Sequence, residues 1–306
     1  MRTSDPPRSA FEDVNGVRVH ALVAGAGEPV ILLHGWPEFS GVWRRNIPAL
    51  AASHRVVAPD LRDFGKSRTL DPATAPLPTP DVYAADLVAL MDRLDIARAA
   101  IVSHDIGAFV AQFLARTRPD RVSRLVFFDC PHPAIGARYG APDHAIETWY
   151  QHFQRLPLAA RLVGHDRETC RMYLRHFLDH LSGDPNAFAD VIEEWVDVHM
   201  EPGALEGGFA WYRAVWPLRK AMIEGTAPPP PVIEHPTLIL WGREDPVTPI
   251  RWSDTLDRSF TNFILEPVDG AGHFPHGQRP DVVNPRILAF LGAGEPADEA
   301  RAGQER

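Results

Sequence analysis

Residues 98–120 read RAAIVSHDIGAFVAQFLARTRPD. The first half, RAAIVSHD (98–105), is a short apolar run of the kind that forms a strand buried on both faces. The second half, GAFVAQFLARTRPD (107–120), has helical spacing and is stopped by Pro119. At the joint stands Ser103-His104-Asp105-Ile106-Gly107. Small residues two positions either side of a central polar residue permit a tight, strained strand-to-helix turn that lifts the central side chain above the sheet. That residue is Asp105, and no Gly-x-Ser-x-Gly occurs anywhere in the chain. A lone aspartate here would read as a helix cap; its company elsewhere in the sequence gives it a second meaning.

Working outward, strands and helices alternate. PVILLHG (29–35), HRVVAPD (54–60) and RVSRLVFFD (121–129) are strand runs. VWRRNIPALAAS (42–53) and DVYAADLVALMDRLDI (81–96) have helical spacing, the latter with Val82, Leu87, Leu90, Met91 and Leu94 on one stripe. Such alternation implies an α/β fold, a parallel sheet with helices on both faces. From about 131 to 228 the rhythm changes to helix after helix: ETWYQHFQRL, RETCRMYLRHFLDHL, AFADVIEEWVDVHM and GGFAWYRAVWPLRKAMIEG. TAPPPPVIEHP (226–236) reads as a stiff connector, because a run of four prolines is neither helix nor central strand. The strand rhythm then returns in TLILWG (237–242) and NFILEPVD (262–269), and PDVVNPRILAFLG (280–292) closes as a helix. The expected organisation is a core of residues 1–130 and 229–306 interrupted by a helical cap, 131–228. The cap would lie over the carboxyl ends of the strands, where sheets of this class place ligands.

Composition limits the partners. Of 306 residues, 31 are basic and 40 acidic, for a net charge of −9. Nucleic acid and anionic membrane both ask for clustered positive charge, so neither is an expected partner. No apolar run is long enough to span a bilayer, and MRTSDPPRS has no apolar core for a secretory signal, which points to the cytoplasm. Two cysteines, Cys130 and Cys170, make neither a disulfide framework nor a thiolate metal site. Both ends, about 1–10 and 293–306, are polar and expected to fray. A monomer or a homodimer fits these features equally.

Two further motifs fall in the order nucleophile, acid, histidine that such sheets use. His34-Gly35-Trp36-Pro37 follows the first buried strand and can aim the Trp36 N–H into a site; with the Ile106 N–H it would form an oxyanion hole. Gly270-Ala271-Gly272-His273-Phe274 follows the last strand, and its small residues let His273 swing over the sheet edge. The acid has two candidates. Asp245, in WGREDPVTP, lies 28 residues before His273; Asp129, in LVFFDCP, lies 24 after Asp105. Asp245 is preferred because an Asp-Pro on that loop has no evident structural duty, whereas Asp129 could hold the neck of the helical insert. His132, His144, His152 and His165 fit no zinc spacing, and no metal or cofactor is expected.

Taken together, HGWP (34–37), APDLRDFGKS (58–67), HDIG (104–107), WGREDPVTP (241–249) and GAGHF (270–274) make the chain resemble the α/β-hydrolase superfamily over about 11–292. The resemblance is to its aspartate-nucleophile branch: epoxide hydrolases, haloalkane dehalogenases and fluoroacetate dehalogenases. It implies a mostly parallel eight-stranded sheet with a helical cap inserted after the sixth strand. It also implies that Asp105 forms an alkyl ester with substrate, which His273 and a water then hydrolyse. Both acid positions occur in the branch; subfamilies using the earlier one often lack the later, so the presence of Asp245 supports it.

The leaving group separates the members. Tyr212 in EGGFAWYRA matches the second of the epoxide hydrolases' two ring-opening tyrosines; the first falls at Tyr150 or, in its place, Trp149 in TWYQHFQ. Fluoroacetate dehalogenases carry arginines just after the nucleophile, where this chain has Ile106 and Phe109; haloalkane dehalogenases carry tryptophan where it has Ile106. The resemblance therefore implies an enzyme acting on a small apolar epoxide and yielding a vicinal diol. The alternatives are a dehalogenase releasing halide from an organohalide, with Trp149 or Trp36 near the halide, and a non-catalytic small-ligand binder. Trp149 and His34 are the remaining pocket candidates.

Overall fold

The computed structural model describes residues 6–293. Most of the two polar ends thus lies outside the described residues. Fraying through residue 10 does not hold, because β1 (Arg8–Val14) begins at Arg8. β1 pairs antiparallel with β2 (Val17–Ala24) through a turn made by Asn15 and Gly16, at φ 45° and 74°. Two consecutive residues of positive φ give the turn whose twist matches the flanking strands, and Asn-Gly tolerates it at least cost.

The remaining strands are β3 (Glu28–Leu33), β4 (His54–Pro59), the two-residue β5 (Arg68–Thr69), β6 (Ala99–His104), β7 (Val122–Phe128), β8 (Thr237–Gly242) and β9 (Phe263–Val268). Eight of them run in the order β1-β2-β4-β3-β6-β7-β8-β9, and β5 pairs β2 off that path. Each neighbouring pair from β4 to β9 is parallel. β6 and β8 are buried at every residue, which is why they read as unbroken apolar runs. Burying each Val, Leu or Ile of such a run contributes roughly 1.5–3 kcal/mol.

From β3 the chain moves outward to β4, then returns to the other side of β3 as β6. That reversal opens a crevice at the carboxyl ends of β3 and β6, the place where open α/β sheets hold ligands. His34-Gly35-Trp36 leaves one side of it and Asp105 the other.

The helices are α1 (Ile47–Leu50), α2 (Pro80–Arg93), α3 (Ile106–Thr117), α4 (Ala145–Phe153), α5 (Pro157–Val163), α6 (Arg167–Ser182), α7 (Ile192–His199), α8 (Ala204–Ile223), α9 (Pro275–Gln278) and α10 (Pro280–Gly292). α4 to α8 fill the chain between β7 and β8. With β5 set aside, β7 is the sixth strand, so the helical insertion falls where the sequence placed it.

Three local expectations change. The helix expected over 42–53 is a 3₁₀ turn, Ser40–Arg45, followed by the one-turn α1. Pro48 has no N–H and would strike the carbonyl four residues back, so the helix restarts at Ile47. On α2, Val82 and Leu94 are only half-buried, and Tyr83 and Asp86 take the inner face. Asp86 is allowed there by a two-bond pairing with buried Arg62 at 2.7 and 2.8 Å. In AFADVIEEWVDVHM only Ile192–His199 is helix; the residues before it make i→i+3 turns from Asp184 to Val191. Those turns drive Phe188 against Phe274, ring centroids 5.2 Å apart, beside the loop that carries His273. Among the described residues no helix is long and apolar enough to cross a membrane.

Candidate active site

Asp105 sits between β6 and α3 at φ 45°, ψ −112°. A non-glycine residue held there is strained, and only closely fitted neighbours keep it so. The neighbours are Gly107 and Gly35. A Cβ on Gly107 would come within 2.4 Å of the Leu33 carbonyl oxygen, and one on Gly35 within 2.5 Å of the Asp105 Cβ. Absence of both side chains lets the turn press against β3, where the Gly107 N–H donates to His34 O at 3.0 Å. The Trp36 N–H donates to Asp105 Oδ2 at 3.0 Å. The Ile106 N–H, first of α3, donates to no protein acceptor among the described residues, as expected for an opening helical turn. One backbone donor thus holds the carboxylate, and a second, next to Asp105 in the chain, has no protein acceptor among the described residues.

His273 is carried by the loop after β9. This loop threads between the end of β8 and the end of α6. A Cβ on Gly272 would meet Leu181 O at 2.2 Å, so glycine is required there. The His273 N–H donates to Leu181 O at 2.8 Å, and Gln278 ties the same loop to α6 by donating to Ser182 O at 2.9 Å and accepting from the Gly272 N–H at 3.1 Å. The last turn of a helix in the insertion thereby fixes the histidine loop.

The His273 Nδ1–H donates to Asp245 Oδ2 at 2.9 Å. Asp245 also accepts from the Val247 N–H at 2.7 Å and from the Thr248 hydroxyl. Burial by itself would raise the Asp245 carboxyl, but the His273 charge and these hydrogen bonds outweigh it and hold the group below its ordinary value. For His273 burial pulls down, yet the charge and hydrogen bond of Asp245, with Asp105 and Glu38 behind them, lift it above its ordinary value. The pair therefore favours a charged imidazole against a charged carboxylate. Asp129 lies close by, one carboxylate oxygen within 4.8 Å of ring nitrogens of His104 and His273, but it makes no hydrogen bond to His273. Its Oδ1 accepts from the Gly242 N–H at 2.7 Å, joining β7 to β8, and its Oδ2 is buried without a partner. Burial and, after it, the Asp245 charge push Asp129 well above its ordinary value, which favours its uncharged form.

His34 has no nitrogen to spare. Its Nδ1–H donates to Gly35 O at 2.9 Å and its Nε2 accepts from the Leu61 N–H at 3.0 Å, so it braces the turn. The buried Trp36 ring, next to the N–H that reaches Asp105, gathers aromatic side chains around it. It stacks on Tyr150 at 5.1 Å and meets Phe177 and Tyr212 edge-on at 4.8 and 6.1 Å. Tyr150 and Tyr212 contact each other at 5.8 Å, and both are buried. The Tyr212 hydroxyl has no hydrogen-bond partner among the described residues, and Tyr150 Oη accepts only from Gln151, at 3.3 Å. Trp149, one residue from Tyr150, points the other way: it is 38% exposed and packs on Phe153, Tyr173, His176 and Phe177.

Beneath this layer is a cluster that the sequence did not single out. Glu38 Oε2 accepts from the Gly35 N–H at 2.7 Å and from His104 Nδ1 at 2.8 Å, and its Oε1 from His276 Nε2 at 2.8 Å. Burial opposes a charge on Glu38, but two imidazoles against it hold the carboxyl well below its ordinary value. The His104 ring lies edge-on to His273 at 4.7 Å. Both the HGWP turn and the histidine thus rest on one buried carboxylate. The only hints in sequence are that Glu38 follows Pro37 and that His104 precedes Asp105.

A family model described as the alpha/beta hydrolase fold matches residues 28–280. The chain is an α/β-hydrolase. This α/β-hydrolase is 32% identical to the soluble epoxide hydrolase of Corynebacterium sp. (strain C12), over 91% of its own length and 95% of the relative's. It is 28% identical to Epoxide hydrolase 4 of Mus musculus, over 90% and 77%. Among solved structures, the ligand-free epoxide hydrolase CorEH superposes with a TM-score of 0.79 at 28% identity, over 93% of this chain and 98% of that one. Within the superfamily its likeness therefore runs to epoxide hydrolases.

Proposed function

We propose that this hydrolase converts an apolar epoxide to a vicinal diol through an ester on Asp105. The observation that carries the reading is the pair of buried tyrosines, Tyr150 and Tyr212, in contact with each other and with the Trp36 ring, both within reach of the Asp105 charge. In this reading residues 131–228 are a cap over a core of 1–130 and 229–306.

An Asp105 carboxylate oxygen attacks one epoxide carbon, the ring C–O bond breaks, and the freed oxygen takes a proton from Tyr212 or Tyr150. Burial raises both tyrosines; the Asp105 charge adds to it, for Tyr212 after its neighbour Tyr150. Ester formation removes that charge as the proton is required, so the hydroxyls become better donors along the step. His273 next takes a proton from water. The hydroxide adds to the carbonyl carbon of the ester, and the Trp36 and Ile106 N–H groups hold the oxyanion. Collapse expels the alkoxide, which regains a proton from His273. The proton left on Asp105 returns to the tyrosinate, and the site is restored. Asp245 orients His273 and offsets its transient charge.

A panel of alkyl and aryl epoxides beside matched alkyl halides tests the class. Diol is expected from the epoxides and no halide from the halides; halide release without diol would overturn the reading. Tyr212→Phe removes one hydroxyl and should slow alkylation of Asp105 by about 10- to 10⁴-fold, the range for a positioned acid. A folded variant with unchanged single-turnover rates would remove the tyrosine's role.

The second step has a pH signature. His273 must be neutral to accept a proton, and its value is raised. Ester hydrolysis should therefore fail as pH falls through a midpoint above the ordinary histidine value, while alkylation persists and the ester accumulates. Replacing Asp245 by Asn removes the largest raising influence, so the midpoint should move to lower pH. Rapid-quench assays of the ester against pH check this; a midpoint unmoved in Asp245→Asn would contradict the pairing.

A further inference from the structure

Arg219 lies on α8 seven residues after Tyr212, which puts the two on one helix face about 10 Å apart. Its guanidinium is half-buried and lies over the Tyr139 ring, 5.3 Å from the centroid. Among the described residues no carboxylate pairs with it and no hydrogen bond engages it. Other half-buried arginines of this chain either have acidic partners, as Arg138, Arg171 and Arg175 do, or donate to backbone carbonyls, as Arg55, Arg68 and Arg116 do. The hydroxyl of that same Tyr139, a residue only 7% exposed, is buried with no hydrogen-bond partner among the described residues. The Arg219 charge reaches Tyr139, Tyr150 and Tyr212. A partly desolvated cation without a counter-charge is costly, and an orphaned hydroxyl beside it adds to the cost. Both costs vanish if a ligand brings an anionic oxygen group to that point.

We propose that Arg219 and the Tyr139 hydroxyl form a carboxylate subsite, and that the preferred substrate is an epoxide bearing a carboxylate about 10 Å from the ring. The proposal rests on the epoxide reading for its reaction, but not for its anion site. The guanidinium supplies two parallel N–H donors to the carboxylate, and the tyrosine a third. The alkyl spacer packs against the Tyr150 and Tyr212 rings, which contact each other and Trp36. Anchoring the far end of the substrate fixes which epoxide carbon faces Asp105.

The test compares an ω-carboxyalkyl epoxide of that span with its methyl ester. In the unmodified enzyme the acid should be favoured by about 10- to 100-fold in kcat/KM, mainly through KM, as a charge-assisted pair predicts. Arg219→Met keeps the apolar stem and should bring the preference near unity by loss on the acid. Arg219→Lys should restore part of it, because a point charge replaces a fork. No preference in the unmodified enzyme would overturn the proposal. So would an Arg219→Met variant that slows acid and ester alike in kcat, since that would assign the cation to the tyrosines. Calorimetry with the dihydroxy acid and its methyl ester separates the two readings. If no epoxide is turned over yet the acid binds at least about tenfold more tightly than the ester, the anion site stands and the epoxide reading falls. Equal binding sinks the site even where epoxides react. Should Arg219→Met not fold, the acid and ester measurements on the unmodified protein decide alone.

Discussion

Asp105→Asn and His273→Gln are expected to lose turnover at different steps. Asp105→Asn replaces an ionised oxygen by a neutral amide, a very poor nucleophile, while the Trp36 N–H still finds an acceptor at Oδ. Turnover should fall by at least about 10⁴-fold, and no substrate should become attached. His273→Gln leaves Asp105, the surrounding aromatic rings and the Trp36 and Ile106 N–H groups in place. It should be alkylated at close to the normal rate and then stall, because nothing accepts the proton of the attacking water. Intact-protein mass spectrometry should find it heavier by one substrate mass, with the addition on the peptide that contains Asp105. An unmodified His273→Gln protein, given an epoxide that the natural protein hydrolyses, would exclude the ester as drawn.

The second large effect separates two aspartates of the same site. Asp245→Asn takes the charge from the His273 Nδ1–H bond and leaves an amide that can present its NH₂ to that nitrogen. The wrong tautomer or a turned ring then results, and ester hydrolysis should slow by about 10⁴-fold, with adduct accumulating. Asp129→Asn is a mild exchange, because burial favours an uncharged group there and an amide oxygen can accept from the Gly242 N–H equally well. Its ester hydrolysis should stay within about tenfold of normal, the scale of one altered hydrogen bond. Rapid-quench measurement of the ester in the two variants decides; the reverse ranking would assign the orienting role to Asp129.

Much of this site was legible in the sequence, for reasons that differ between its parts. Asp105 and His273 each sit in a turn that only small neighbours allow, so Ser103, Gly107, Gly270 and Gly272 announced them. The buried strands were readable because β6 and β8 carry apolar residues without alternation. The preference for Asp245 over Asp129 had only the Asp-Pro loop and the family pattern behind it, because both follow parallel strands and the path of the His273 loop is what brings Nδ1 to Asp245. Glu38 was not readable. A buried carboxylate between two imidazoles is a property of three distant segments, and residue type alone suggests a solvated glutamate. The β1–β2 hairpin carried a clear signal, Asn15-Gly16, in a stretch whose polar ends drew attention away from it. Pro48 marked the broken helix at 42–53 equally plainly, whereas the unwound start of α7 depends on where Phe188 finds a partner.

One measurement tests the covalent route most directly. A single turnover is run in H₂¹⁸O with enzyme in excess over an epoxide, and the diol and the Asp105 peptide are then weighed. If Asp105 attacks the epoxide and water attacks the ester carbonyl, the first diol carries unlabelled oxygen from Asp105, and one ¹⁸O remains in the Asp105 carboxylate. Label in the diol, with none in that peptide, would mean that water adds directly to the epoxide and that Asp105 forms no bond to substrate.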